Sequence, residues 1–336
     1  MTALQPRPST SWTEQVFSRE QARAAGWTDA EVRSRLASGS WTALRRGLYC
    51  ATADLDGATA GRRLHLELLA LQRHLDRPTA AFSHRTAAQL TGITTFGAGD
   101  GEHRLVDPTR WRSGADYRMT RAELPVGDLA RRGPFTVTSA ARTLVDLCRE
   151  LDELDAVATL DRALLRGQVT REALDLAVQR ARFVRGTPLA RRAVERSNGR
   201  SESWLESAWR VRHLAAGLPE PELQVEIWAG GRLVKVLDGY LRAQAIGFET
   251  DGKIKFTDPY GGRDPAEVLW AEKRAEDAVR ALGIRVVRPT MVDIGSGWAA
   301  FEARVAREVA APVPALQPFT AVQRDIGRLR PPTSRG

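Results

Sequence analysis

Two cysteines in 336 residues, Cys50 and Cys148, are too few for a disulfide framework, and their spacing matches no zinc-ligand pattern. No apolar run approaches the roughly 18 residues that would mark a membrane span. The opening residues Met1–Ser9 lack the apolar core of a signal peptide, so the expected location is cytoplasmic, away from any membrane. Acidic residues are outnumbered: 50 Lys and Arg face 41 Asp and Glu, a formal net charge of +9. Arginine supplies most of that charge, and its planar fork suits phosphate. Such a balance favours polyanion partners, although an arginine-rich codon habit would leave the same excess. What is present in quantity, 43% hydrophobic and 27% charged residues, suits globular domains with sizeable cores.

The stretch Val236–Phe256 carries the chemistry. Asp238 and Glu249 each interrupt or end an apolar run of strand type, where a carboxylate is costly to bury without a cation. Asp251 follows Glu249 by two, and Lys253 and Lys255 come within four residues more. Carboxylates on adjacent strands hold Mg²⁺ or Mn²⁺ with open water positions, and a nearby lysine steadies transition-state charge. Upstream, Glu206 follows Ser203 by three, as a capping box would. It is also placed to approach the same pocket from a helix.

Earlier in the chain, Ser18-Arg-Glu-Gln21 and Thr28-Asp-Ala-Glu31 are two capping boxes, and Gly26 and Gly39 close the helices that they open. Two short helices with a tight turn form a helix-turn-helix signature. Trp41–Cys50 then suggests two strands meeting around Arg45-Arg46-Gly47, a basic wing. With Phe17–Ala22, Gly26-Trp27-Thr28 and Trp41, residues 16–50 resemble the winged-helix domain of AbiEi-type antitoxins. That resemblance implies DNA binding, with Arg33 and Arg35 on the recognition helix 28–38 and Arg45 and Arg46 on the wing. His84, just inside a helix start, is expected to be structural. Residues 103–183 alternate strands and then helices, as a small α+β domain does.

From Ser201 the order is helix, three strands, helix, strand, helix, with a hairpin turn at Gly230-Gly231. Residues 201–310 resemble the nuclease-like domain related to very-short-patch-repair endonucleases, of the restriction-endonuclease-like PD-(D/E)xK class. The matching pieces are Ser203-x-x-Glu206, Val236-x-Asp238, Phe248–Gly252, Lys273-Arg-x-x-Asp277 and Gly283–Arg288. The resemblance implies Asp238, Glu249 and Glu206 as ligands of Mg²⁺ or Mn²⁺. Where the plain class has lysine, this chain has Asp251; Lys255 takes the basic place of the resembled subfamily and Lys253 stands nearby.

The expected fold class is multi-domain α/β: a winged helix-turn-helix at 14–55, a central α+β domain at 56–196, a restriction-endonuclease-like domain at 200–312 and a disordered tail at 313–336. The expected function is metal-dependent hydrolysis of DNA in a defence, toxin–antitoxin or DNA-processing setting. The alternative is a type IV antitoxin-like transcriptional regulator whose nuclease fold is inactive, and RNA processing is a weaker third. Expected partners are DNA and either a cognate toxin or a second copy of the chain.

Overall fold

The computed structural model describes residues 15–250 and 265–325. Among the described residues the fold is mixed α/β with three sheets. Packing divides the described residues into two compact units: those up to 83 with 102–138, and 84–101 with those from 139 onward.

In the first unit, β1 (Phe17–Ser18) leads into α1 (Arg19–Ala24), and α2 (Asp29–Ala37) follows. Both helices start on full capping boxes, Ser18 with Gln21 and Thr28 with Glu31. Each box satisfies N–H groups that helix geometry leaves without partners. β2 (Trp41–Arg45) and β3 (Leu48–Ala51) form an antiparallel hairpin, and β3 also pairs β1. Ala22, Val32, Trp41 and Tyr49 make the small core, with Phe17, Trp27 and Leu36 packed on it. α3 (Ala60–Leu75) follows. The second sheet holds β4 (Ala81–Phe82), β5 (His103–Asp107), β6 (Arg112–Ser113), β7 (Tyr117–Arg121), β8 (Leu129–Arg132) and β9 (Phe135–Thr138), in the order β6-β7-β5-β4-β9-β8.

The second unit opens with α4 (His84–Thr91) and a helical layer of α5 (Ala140–Cys148), α6 (Glu153–Leu165), α7 (Arg171–Arg180) and α8 (Thr187–Arg196). Then come α9 (Trp204–Ala215), β10 (Glu222–Ala229), β11 (Arg232–Leu241), β12 (Ile246–Phe248), α10 (Pro265–Ala281), β13 (Arg285–Val287), α11 (Met291–Ile294), α12 (Trp298–Ala310) and β14 (Thr320–Gln323). The sheet order is β13-β12-β11-β10-β14, antiparallel except for parallel β12 and β13. α10 is the crossover that this parallel pair requires. Leu205, Trp209, Phe301 and Val305 of α9 and α12 cluster with Leu223, Leu241 and Phe248. Val279 of α10 clusters instead with Val225, Ile227 and Leu237. Helices therefore cover both faces, and β10 is buried along most of its length.

Three sequence expectations change here. The strands of the supposed 56–196 domain and its first helix, α3, belong to the first unit, and its helices α4 to α8 belong to the second. The Asn198-Gly199 turn, which falls between the expected domains at 56–196 and 200–312, is a tether rather than a domain boundary. Asp161, wholly buried on α6, accepts hydrogen bonds from the Asn198 and Gly199 amides at 2.6 and 3.1 Å, and from the Ser207 hydroxyl of α9 at 2.8 Å. Arg210, also on α9, pairs with the same carboxylate at 3.4 Å. A buried carboxylate is tolerable only with such a complete set of donors. Lastly, the expected disordered tail is structured at least as far as Asp325. Thr320–Gln323 pairs with Val225–Trp228, and Arg324 bonds Glu226 at 2.9 Å. Edge-strand hydrogen bonding and this ion pair order a segment that composition alone marked as a tail.

Candidate functional site

Glu206 lies in the first turn of α9, which Ser203 caps. The Ser203 hydroxyl accepts from the Glu206 amide at 3.2 Å. The Glu206 carboxylate does not close the box onto Ser203. It accepts from the Glu202 amide at 2.8 Å and from the Gln224 side-chain amide at 3.1 Å. Burial, then the nearby charge of Asp238, pushes the Glu206 carboxyl up to about 8. Asp238 is also raised by burial, against hydrogen bonds from Thr250, whose amide and hydroxyl donate to it at 2.7 and 2.9 Å.

A break in the sheet's alternation brings these groups together. Along β11, Leu237 joins the cluster containing Val279 of α10, but Gly239 turns toward α9, where an added Cβ would stand 2.5 Å from the Trp209 ring. On the paired strand, Val225 joins the α10 cluster and Leu223 the α9 cluster. Residues two apart in a regular strand share a face, so both strands change face across Gln224 and Asp238. Gln224 meets the requirement with φ of +53°, in the left-handed region that side chains other than glycine seldom adopt. A strained, buried residue bonded to a carboxylate marks a functional-site candidate.

Glu249 sits apart from this pair in its bonding. Its carboxylate is 2.9 Å from the Lys235 ammonium and 3.2 Å from the Arg288 guanidinium, which also meets Glu276 at 2.5 Å. Burial raises the Glu249 carboxyl, and Lys235 and Arg288 oppose the rise. Lys235 also lowers the charge cost at Asp238, though less than the Thr250 bonds do. The Lys235 charge thus favours ionisation of both Glu249 and Asp238.

Of the residues expected from sequence, Glu206 and Asp238 are near enough for the charge of Asp238 to raise Glu206, while Glu249 is bonded instead to Lys235 and Arg288. Asp251, Lys253 and Lys255 lie outside the described residues. Among the described residues, no three His, Cys, Asp or Glu side chains gather as a metal cage would. The pair Glu206 and Asp238 still suits a cation: burial raises both carboxyls, the charge of Asp238 raises Glu206 further and that of Glu202 raises Asp238, and neither is ion-paired among the described residues. Glu249 suits one less well, because two cationic side chains already neutralise it. Gln224 and Lys235 went unnoticed in the sequence. Lys235 lies three before Asp238 on one strand, which regular alternation would put on the opposite face.

In the first unit the four expected arginines differ. Arg33 is exposed on α2. Arg35 stacks over Trp27 at 5.0 Å. Arg45 is tied to Asp116 by two bonds at 3.1 and 2.5 Å and lies over Tyr117, so it braces the hairpin against the second sheet. Arg46, at the hairpin turn, is exposed.

No family model matches the chain. It is 39% identical over 100 residues to "Uncharacterized protein Rv2248" and, to the same extent, to "Uncharacterized protein MT2308", from two strains of Mycobacterium tuberculosis. The match takes in 30% of this chain and 37% of each relative, so the chain spans little more than a third of the length of these curated relatives. Among solved structures, the RV2827C protein of Mycobacterium tuberculosis is similar with a TM-score of 0.36 at 16% identity, over 56% of this chain and 78% of that one. No helix among the described residues is long and apolar enough to cross a membrane.

Proposed function

We propose that the chain binds DNA and that its C-terminal part is a metal-dependent phosphodiesterase of the restriction-endonuclease-like class. The observation that carries this reading is the pair of buried Glu206 and half-buried Asp238, set where two strands change face, with the charge of Lys235 acting on Asp238. The order of one helix, three antiparallel strands, a crossover helix and a parallel strand supports the nuclease-like core. Two capped helices and a β-hairpin support a winged helix-turn-helix, with Arg33 and Arg46 as its exposed cations.

Glu206 and Asp238 would hold Mg²⁺ or Mn²⁺, which when bound supplies an activated water and neutralises phosphate charge. The chain's own groups prepare the pocket. Thr250 fixes the Asp238 carboxylate with two hydrogen bonds, and Gln224 holds Glu206. Lys235 presents an ammonium for charge developing on a phosphate. Glu249 acts as a positioning residue for Lys235.

Supercoiled plasmid incubated with Mg²⁺ or Mn²⁺ should be nicked by the wild type and left intact by Glu206→Gln and Asp238→Asn. Equal nicking by all three proteins refutes the assignment. A second reading, a regulator or antitoxin-like protein without turnover, is favoured by one observation: Glu249 is already neutralised by Lys235 and Arg288. On that reading promoter binding occurs without cleavage, survives Asp238→Asn, and weakens when Arg33 and Arg46 are changed to alanine together. A cognate toxin or a second copy would then be the protein partner.

A further inference from the structure

The turn between α7 and α8 carries a feature that the carboxylate site and the N-terminal arginines leave unused. Residues 179–192 contain five arginines and no acidic residue. At the turn, Phe183 is 88% exposed, and Leu189 on α8 is 48% exposed. The Arg182 guanidinium lies over the Phe183 ring, 4.7 Å from its centroid. Arg182, Arg185, Arg191 and Arg192 are all exposed. Leu189 and Arg192, three apart on α8, are neighbours on its outer surface.

The turn is fastened rather than loose. Arg149 Nε donates to the Arg185 carbonyl at 2.8 Å. Gly186, with φ of +85°, lies so close to Arg149 that a Cβ there would stand 2.5 Å from its carbonyl oxygen. The buried Thr187 hydroxyl is shared between the carbonyls of Ala181 and Val184, at 2.6 and 2.8 Å. An aromatic ring held in solvent on a braced turn, inside a purely cationic segment, has no structural reward for its exposure.

We propose that this tip is a second nucleic-acid contact, in which the arginines take phosphates and Phe183 stacks on an unpaired base. Guanidinium forks match phosphate oxygens, and an aromatic face accepts any base. Arginine over one face of the ring leaves the other face for a base and adds cation–π attraction. The tip shares no residue with the proposed phosphodiesterase site or the N-terminal surface, so this inference stands apart from both.

The test measures fluorescence anisotropy of the full chain, in EDTA, with a labelled single-stranded oligonucleotide and its duplex. Phe183→Ala should weaken single-strand binding by about tenfold, leave its salt dependence unchanged and leave duplex binding nearly unaltered. Phe183→Tyr should retain wild-type affinity. Changing Arg191 and Arg192 together to alanine should flatten the single-strand salt slope by roughly 0.7 for each phosphate that is no longer neutralised. A variant with Arg33 and Arg46 replaced by alanine should keep the single-strand affinity, which separates this tip from the N-terminal surface. Unchanged single-strand affinity in Phe183→Ala would overturn the proposal. So would binding to phosphatidylserine vesicles that Phe183→Ala abolishes while oligonucleotide binding persists, because the tip would then serve a lipid surface.

Discussion

Replacing Glu206 by glutamine should change how stability depends on pH, whether or not the chain cleaves anything. The wild-type carboxyl is 7% exposed and is held up to about 8 by burial and by Asp238, against an ordinary value of 4.5. An acid raised in the folded state binds its proton more tightly there than when unfolded. Its contribution to stability is therefore complete below pH 4.5 and is lost as pH rises toward 8. At about 1.36 kcal/mol per tenfold change in proton affinity, the whole window corresponds to roughly 5 kcal/mol as a ceiling. A divalent cation that prefers the ionised pair would offset that loss, by about 2.7 kcal/mol at a hundredfold excess over Kd. Thermal unfolding from pH 5 to pH 8, with and without Mg²⁺ or Mn²⁺, reads both effects. Wild-type Tm should fall with pH in EDTA and recover most with metal at the alkaline end. Glu206→Gln should show a flatter profile and little metal response. The same pH slope in both proteins, with no metal-induced rise in the wild type, would refute the paired-carboxylate reasoning.

Two further outcomes rest on particular ion pairs. Asp161→Asn keeps the shape but leaves Arg210, 3% exposed, without its buried counter-charge. Urea unfolding should show a loss of about 3–5 kcal/mol, and a loss under about 1 kcal/mol would mean that the tether is unimportant. Lys235→Met keeps the length and removes the ammonium beside Glu249. Plasmid nicking should fall by roughly a hundredfold or more while the metal-induced rise in Tm persists. Undiminished nicking would move the lysine's role to another residue, with Lys255 and Lys253 the next to be changed.

Local rules made much of the architecture legible. Ser18 with Gln21 and Thr28 with Glu31 cap their helices as the spacing implies, because a capping box is completed within four residues. Gly230 and Gly231, both at positive φ, turn β10 into β11. Other features depend on distant partners. Asp161 carried no local sign of its donors, which come from residues 198–210, and β14 was hidden because an edge strand is defined by the strand that it joins.

At the site, the sequence by itself determined which groups were available: Glu206 near a helix start, and Asp238 and Glu249 against apolar runs where ionised carboxylates are costly to bury. Only the tertiary structure decided how they are grouped. The change of face at Gln224 and Asp238 sets Glu206 against Asp238, ties Thr250 to that pair, and leaves Glu249 with Lys235 and Arg288. The physical reason is that a strand's two-residue period assigns faces only while the strand is regular. Here a residue in the left-handed region breaks that period, and its place is held by packing from α9 and α10 on opposite sides of the sheet.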